Sequence, residues 1–212
     1  MKLSVVIPVY NERKTIKKVI EKVKLSPVEK EIIIVDDGYN DGTSSLLDEL
    51  AKKENNIKII HLNKNVGKGQ AIKESFSLVK GVIIQNADLE YDPGEYPKLL
   101  EPLPNKEAEV VFGSRLLKRI NKRDGLFYFG RVLITWVANS LFKNNLTDAY
   151  TCYKVLPRDF VKNLKITSTG FELEAELTAK LLLSKKKIKE IPINYLSTLS
   201  KRRQKDYMER LV

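Results

Sequence analysis

The sequence predicts an α/β domain with a mainly parallel central sheet flanked by helices. Two observations carry this reading. Short β-branched runs alternate with amphipathic helical windows through the first half of the chain, which is the sequence form of successive β-α-β units. The 212 residues, 42% hydrophobic and 31% charged, also match an ordinary globular chain, not a disordered, collagen-like or multi-spanning one. A chain of this length buries roughly 70% of its unfolded surface, enough for its own core.

Five strand candidates stand in the first half: LSVVIPV, EIIIVDD, IKIIHLN, GVIIQNAD and EVVFGSR. Between the first two, residues 12–24 put Ile16, Val19, Ile20 and Val23 on one helical face, and residues 43–53 do the same with Leu46, Leu47 and Leu50. A third helix is expected over 68–80, stopped by Gly81, and Pro93 opens a short fourth one. The second half is less regular. It offers an apolar helix from Leu126, a strand over 151–156, a helix over 171–184 and a strand over 188–195. With no Gly/Ser linker and no internal repeat, residues 1–195 read as a single domain and 196–212 as a basic C-terminal tail.

The lone cysteine, Cys152, excludes an internal disulfide partner and any cysteine-based zinc site, and fits a reducing cytoplasm. The chain enters its first strand at once, without the pattern of a secretory signal. Residues 126–142 form the longest apolar stretch but carry Arg131 and Asn139. They are a poor membrane span and read either as a helix lying on a membrane or as a core helix contributing Leu133, Trp136, Val137 and Phe142. The net charge of +11 is concentrated at the end: residues 180–212 hold ten Lys/Arg against three acids. A solvated face, anionic lipid, a phosphorylated ligand or nucleic acid would each accept such a block. Apart from Tyr195 and Tyr207 the tail has no interleaved aromatics, so nucleic acid is disfavoured.

In open α/β sheets ligands bind beyond the carboxyl ends of the strands. Those ends are acidic here: Glu12 after the first strand, Asp36, Asp37 and Asp41 after the second, and Asp88, Glu90 and Asp92 after the fourth. Clustered carboxylates repel unless a cation or hydrogen-bond donors sit between them. A divalent ion on Asp88 and Glu90, two apart and therefore on one side of an extended chain, with Asn86 as a neutral oxygen, points to Mg2+ or Mn2+. The alternative is that these acids cap turns and helices. NVGKGQA lacks the spacing of a dinucleotide or P-loop motif; its glycines and Lys68 suit either a phosphate or a tight turn. His61 reads as a structural histidine and Cys152 as a small buried side chain.

VVIPVYNE, IIIVDDGYNDGT, NVGKGQA, NADLEYDP, VVFGSR, LTDAYTCYK and GFELEAE occur in the order found in family 2 glycosyltransferases of the GT-A fold, a Rossmann-like nucleotide-diphospho-sugar transferase fold. Within that family the chain resembles the dolichol-phosphate mannose synthases and related polyprenyl-phosphate sugar transferases. The resemblance implies that Pro8, Tyr10, Glu12, Val35 and Asp37 hold the base and ribose of a nucleotide-sugar donor. It puts Asn86, Ala87 and Asp88 at the DxD motif, with the metal on Asp88, Glu90 and Asn86. Arg115 and Arg131, joined by Arg202 of the tail, would meet the phosphate of a polyprenyl-phosphate acceptor, and the catalytic set would be Asp88, Arg115 and Arg131. The enzyme is then expected to be cytoplasmic and peripheral to a membrane, with GDP-mannose or a UDP-sugar as donor.

A metal neutralises the charge growing on a departing nucleoside diphosphate. A lipid phosphate with a second pKa near ~6 attacks as a dianion without a protein base. A saccharide hydroxyl acceptor would need a base, for which Asp148 and Glu172 are the candidates. A third reading is a nucleotide-sugar-binding protein without turnover. Three departures from the family pattern stand out: Asn86 replaces the first aspartate of DxD, Tyr39 stands where a small serine is common, and the tail lacks the glycine-containing acceptor loop while keeping Lys201, Arg202, Arg203 and Lys205. Glu172 and Glu176 share a helix face, and the GFELE acids either approach the sugar or pair with Lys180.

Overall fold

The structure is a computed structural model that describes residues 2–38, 41–79, 81–118, 125–170 and 172–196, of which 125–127 by backbone only. Tyr39 and the tail arginine Arg202, with its neighbours Lys201, Arg203 and Lys205, lie outside the described residues.

Every strand expected from the sequence forms: β1 (Leu3–Val9), β2 (Lys30–Asp36), β3 (Ile57–His61), β4 (Gly81–Ile84), β5 (Val110–Ser114), β6 (Lys154–Pro157) and β7 (Ile188–Pro192). They make one seven-stranded sheet in the order β3-β2-β1-β4-β6-β5-β7. β1 pairs in parallel with β2 and β4, β2 with β3, and β5 with β7, while β6 is antiparallel to both its neighbours. Six carboxyl ends therefore share one edge, and β6 begins where the others finish.

Residues of β1 alternate between two cores, as period-2 geometry requires. Leu3, Val5, Ile7 and Val9 face the layer of α1 (Ile16–Leu25), α2 (Thr43–Ala51) and α4 (Tyr96–Leu100). Val6 faces α3 (Lys68–Ser75), α6 (Arg158–Lys162) and α7 (Leu173–Leu183). Fully burying each such side chain contributes about 1.5–3 kcal/mol. The predicted α1 face is the buried one: Ile16, Val19, Ile20 and Val23.

Boundaries moved for local reasons. α1 starts at Ile16, not residue 12, because residues 12–15 form a turn in which Thr15 N and Ile16 N both bond to the Glu12 carbonyl. α3 stops at Ser75, whose hydroxyl donates back to the Ile72 carbonyl at 2.6 Å, a bond that competes with helix continuation. α6 has no counterpart among the expected elements.

The apolar helix α5 (Gly125–Phe142) corrects the core reading. Phe129, Trp136 and Leu141 are 61%, 63% and 71% exposed, and Leu133 and Val137 are exposed as well. Its polar residues turn inward instead. Thr135 is buried and accepts from Ala149 N at 3.1 Å, and the Asn139 amide bonds both the N–H and the carbonyl of Leu146 at 2.9 and 2.8 Å. Arg131, Thr135 and Asn139 are spaced four apart, so one polar stripe faces the protein. No helix among the described residues is long and apolar enough to cross a membrane.

His61 closes β3 as a structural residue, Nδ1 at 2.9 Å from Asp36 and Nε2 at 3.0 Å from Asp48 on α2. Burial pulls its pKa down, but the two carboxylates outweigh that and raise it. A raised histidine contributes stability fully below its unfolded pKa of about 6.5 and loses it as pH rises through the folded value. Melting temperatures of the wild type and His61→Gln should therefore differ most just below about pH 6.5 and draw together as pH rises through the raised folded value.

Candidate active site

At the shared carboxyl edge, Pro8, Val9, Tyr10, Glu12, Asp37, Lys68, Asn86, Ala87 and Asp88 line a cleft of ≈220 Å³. Beyond Tyr10 it adjoins an open hollow of ≈630 Å³ walled by Tyr10, Gly38, Gly42, Leu62, Asn63, Lys64 and Asn65. Seven of the expected donor-site residues thus meet in one cleft, Asp37 and Asp88 among them. Val35 does not: it is fully buried within β2 and is not part of the lining.

Several of the strand-end acids are occupied by capping. Asp41 accepts from Thr43 N at 3.0 Å at the start of α2, and Asp92 from Gly94 N at 3.1 Å. Asp36 takes the Ser44 hydroxyl and His61. Asp37 accepts from Val66 N at 2.7 Å and Gly67 N at 2.8 Å, tying the NVGKGQA loop to the end of β2. The expectation that Asp88 and Glu90 lie on one side of an extended segment fails. Leu89 has φ +64°, so the chain turns; Asp88 accepts from Glu90 N at 2.9 Å, and the Glu90 carboxylate accepts the Tyr195 hydroxyl at 2.7 Å. No cluster of three or more acids, histidines or cysteines able to hold a metal occurs among the described residues.

The NVGKGQA loop is a docking device rather than a backbone cradle for phosphate. Three of its amides are spent: Val66 and Gly67 donate to Asp37, and Gly69 donates to the Thr169 carbonyl at 2.8 Å. A Cβ on Gly67 would lie 2.3 Å from Thr169 O, and one on Gly69 would lie 2.1 Å from Ser168 O, so both positions require glycine for close approach. That approach lays the lead into α7 against α3 and brings Glu174 to Lys68.

Lys68 Nζ reaches Glu174 at 2.9 Å, the Asn86 amide oxygen at 3.2 Å and the Cys152 sulfur at 3.6 Å, and Lys154 meets the other Glu174 oxygen at 3.0 Å. All three charged side chains are largely buried. Burial pushes the Glu174 carboxyl up, but the two ammonium groups outweigh it and lower its pKa to about 2. Burial also opposes the charge on Lys68, yet the Glu174 carboxylate holds its pKa above the ordinary value. Burial raises the pKa of the Cys152 thiol, which stays neutral.

Where β5 ends, Arg115 is forked onto Asp148, Nε to Oδ2 at 2.7 Å and Nη2 to Oδ1 at 2.8 Å, with Nη2 also on the Tyr150 carbonyl at 3.0 Å. Asp148 is fully buried, and its own loop is held by Glu190 of β7, which accepts from Thr147 N at 2.7 Å and Asp148 N at 2.9 Å. Arg115 and Arg131 both stack on the Tyr195 ring, at 5.4 and 5.5 Å from its centroid. The structure therefore brings the two expected phosphate-binding arginines together, with Tyr195 as an unforeseen hub between them and Glu90. Glu172, the other candidate base, is exposed and accepts from Gly170 N and Thr169 N at 2.8 and 3.0 Å; the Gly170 N–H leads the causes that lower its pKa. Glu176 bonds Thr167, Ser168 and Lys180, as the pairing alternative held.

Sequence reasoning missed Tyr195, Lys154 and Glu190. A signal existed for one of them: Lys154 is the lone charge of the strand KVLP, and a charge in an otherwise apolar strand marks a specific buried partner.

The mainly parallel sheet, with a polar cleft and a basic corner at its carboxyl edge, has the fold of the GT-A glycosyltransferases. Glucosyl-3-phosphoglycerate synthase from Mycobacterium tuberculosis, solved with Mn2+, uridine diphosphate and phosphoglyceric acid, superposes with a TM-score of 0.69 at 19% identity, over 94% of this chain and 72% of that one. Residues 4–164 match the model of glycosyl transferase family 2, and the chain belongs to that family and is a glycosyltransferase. It is 28% identical to a dolichol-phosphate mannosyltransferase from Pyrococcus furiosus over 92% of its own length and 56% of the relative's. It is also 27% identical to an undecaprenyl-phosphate mannosyltransferase from Micrococcus luteus, over 92% and 84%. The chain thus spans about half the length of the archaeal relative.

Replacing Glu174 with glutamine leaves two buried lysines without their carboxylate and should cost about 3–5 kcal/mol at neutral pH, read from urea unfolding. The carboxylate's contribution is present above its unfolded pKa near 4.5 and fades as pH falls toward about 2, so the two proteins should converge in acid.

Proposed function

We propose that this enzyme moves a hexose from a nucleotide-diphospho-sugar to a polyprenyl phosphate at a membrane surface, with a divalent metal and with inversion at the anomeric carbon. The observation that carries the reading is the corner where Arg115 and Arg131 share the Tyr195 ring, beside a helix whose apolar residues face outward. A soluble helix normally hides its apolar stripe. α5 turns its polar stripe inward, which suits an amphiphilic acceptor with its chain along α5 and its phosphate at the arginines. The names of the archaeal and bacterial relatives, both lipid-phosphate mannosyltransferases, support the same acceptor class.

The donor's nucleotide would occupy the cleft between Pro8, Tyr10, Glu12 and Asp37 and the adjoining hollow. The donor set fits Mg2+ or Mn2+: oxygen ligands only, with Asp88 and Asn86 in the cleft lining. Such an ion takes one or two carboxylates and completes its shell with phosphate and water, so a three-carboxylate cage is not required. When bound, it supplies Lewis-acid stabilisation of the departing diphosphate. Glu90 would join through the ligand or act on Tyr195.

In the reaction an oxygen of the acceptor phosphate forms a bond to the anomeric carbon while the bond from that carbon to the nucleoside diphosphate breaks. The acceptor arrives as a dianion above a pKa near ~6, so no proton need be removed. This agrees with the state of the two candidate bases. Asp148 is buried and held in a bidentate pair with Arg115, and the lowered pKa of Glu172 makes it a weak proton acceptor. Neither of these two candidates is thus well placed to serve as the base that a saccharide hydroxyl acceptor would need. Asp148 instead orients Arg115, and Arg131 would position the attacking phosphate.

The test is incubation of labelled GDP-mannose or UDP-hexose with Mn2+ and vesicles containing polyprenyl phosphate. Label should enter the lipid fraction; label found only in water-soluble glycan, or in neither, contradicts the proposal. Arg131→Ala should raise the KM for the lipid phosphate about tenfold or more and leave nucleotide-induced thermal stabilisation unchanged. Asp88→Ala should abolish the metal-dependent part of that stabilisation, and an unaltered shift contradicts the assigned ligand.

A further inference from the structure

Residues 193–196, which follow β7, are pinned at both ends. Ile193 N donates to the Ser114 carbonyl at 3.1 Å, beside Arg115, while Leu196 N donates to the Glu90 carbonyl at 2.9 Å and Tyr195 forms an antiparallel bridge with Tyr91. Asn194 N adds a bond to the Glu95 carboxylate at 3.2 Å. The Tyr195 side chain is held as firmly: its ring meets that of Tyr91 edge to face, centroids 5.2 Å apart, and its hydroxyl donates to Glu90 at 2.7 Å. Backbone, ring and hydroxyl therefore fix Tyr195 without help from the arginines.

The two arginines reach this ring from different elements, Arg115 from the end of β5 and Arg131 from α5, at 5.4 and 5.5 Å from its centroid. Arg115 is also set by the Asp148 fork, at 2.7 and 2.8 Å. Like charges gathered at one ring repel, and the electron-rich ring offsets part of that cost without consuming an N–H donor. We infer that Tyr195 is a positioning residue for acceptor binding, whose ring sets Arg131 against the fixed Arg115 so that both guanidinium groups meet one phosphate; this rests on the acceptor reading above. The ring acts through Arg131, and the hydroxyl serves to anchor the ring. Phenylalanine, which keeps the ring and the backbone bridge, should therefore keep most of the effect, whereas an aliphatic side chain should lose it.

The test is transfer of labelled hexose to polyprenyl phosphate in vesicles with Mn2+, comparing the whole chain with Tyr195→Leu, Tyr195→Phe, Arg131→Ala and the double variant of Tyr195→Leu with Arg131→Ala. Tyr195→Leu should raise the KM for the lipid phosphate about fivefold or more and leave nucleotide-induced thermal stabilisation unchanged, and Tyr195→Phe should stay within about twofold of the wild type. The double variant should match Arg131→Ala alone, because one residue works through the other. A wild-type KM for Tyr195→Leu, a phenylalanine variant as impaired as the leucine one, or a double variant whose KM rises by the product of the single effects overturns the inference and leaves the acceptor reading standing. Should Tyr195→Leu fail to fold, Tyr195→Met is judged by the same outcomes. A wild type that passes no label to the lipid overturns the acceptor reading, and calorimetric titration with inorganic phosphate then decides the role of Tyr195. That role holds if Tyr195→Leu binds phosphate about fivefold more weakly than the wild type, and falls if the two bind alike or the wild type binds none.

Discussion

The site depends on one reversal in the sheet. β6 runs against β4 and β5 between which it is inserted, so its beginning, not its end, lies at the carboxyl edge. Residues 147–153 are thereby delivered to the same edge as the ends of β1, β2, β4 and β5. Without that reversal Asp148 could not fork Arg115, Cys152 could not anchor Asn86, and Lys154 could not share Glu174 with Lys68. Arg115 is fixed by Asp148 of this segment, and Lys68 and Lys154 by Glu174 of α7.

The edge separates charge by function. Acidic and amide oxygens line the cleft, with Lys68 among them, while the arginines gather around Tyr195 beside α5. Capping takes up Asp36, Asp41 and Asp92, and leaves Asp88 with Asn86 as the oxygen pair in the cleft. The arginine corner is stiffened from below: Glu190 holds the 147–148 amides, Asp148 holds Arg115, and the Arg115 guanidinium stacks on Tyr195. Buried bidentate pairs of this kind contribute more to geometry than to net stability.

Much of this was legible from the chain alone, and the failures have physical causes. Strands with strict β-branched runs, such as Ile32 to Val35, announce themselves because a buried parallel strand has few other ways to read. That residues such as Glu12, Asp37 and Asp88 meet in one cleft was legible because parallel topology forces strand ends to one edge, a rule that needs no coordinates. Val35 is placed away from the cleft because it lies within β2 and is fully buried there, and Asp88 and Glu90 part because Leu89 turns the chain in the left-handed region. The glycines of NVGKGQA were ambiguous between binding a phosphate and permitting close approach, and only the position of Ser168 and Thr169 resolves them. The two readings of α5 differed only in what covers it, which hydropathy cannot report; the inward polar stripe of Thr135 and Asn139 is a tertiary fact.

On the proposed reading, the protein groups orient and neutralise charge but do not remove a proton from the nucleophile. The most direct measurement is the pH dependence of kcat/KM with lipid acceptors of differing phosphate acidity, a phosphate against a phosphorothioate or phosphonate of the same chain. The account predicts an ascending limb near pH ~6 that moves with the second pKa of the acceptor. A limb that stays at one pH whichever acceptor is used would assign it to a base on the protein and contradict the account.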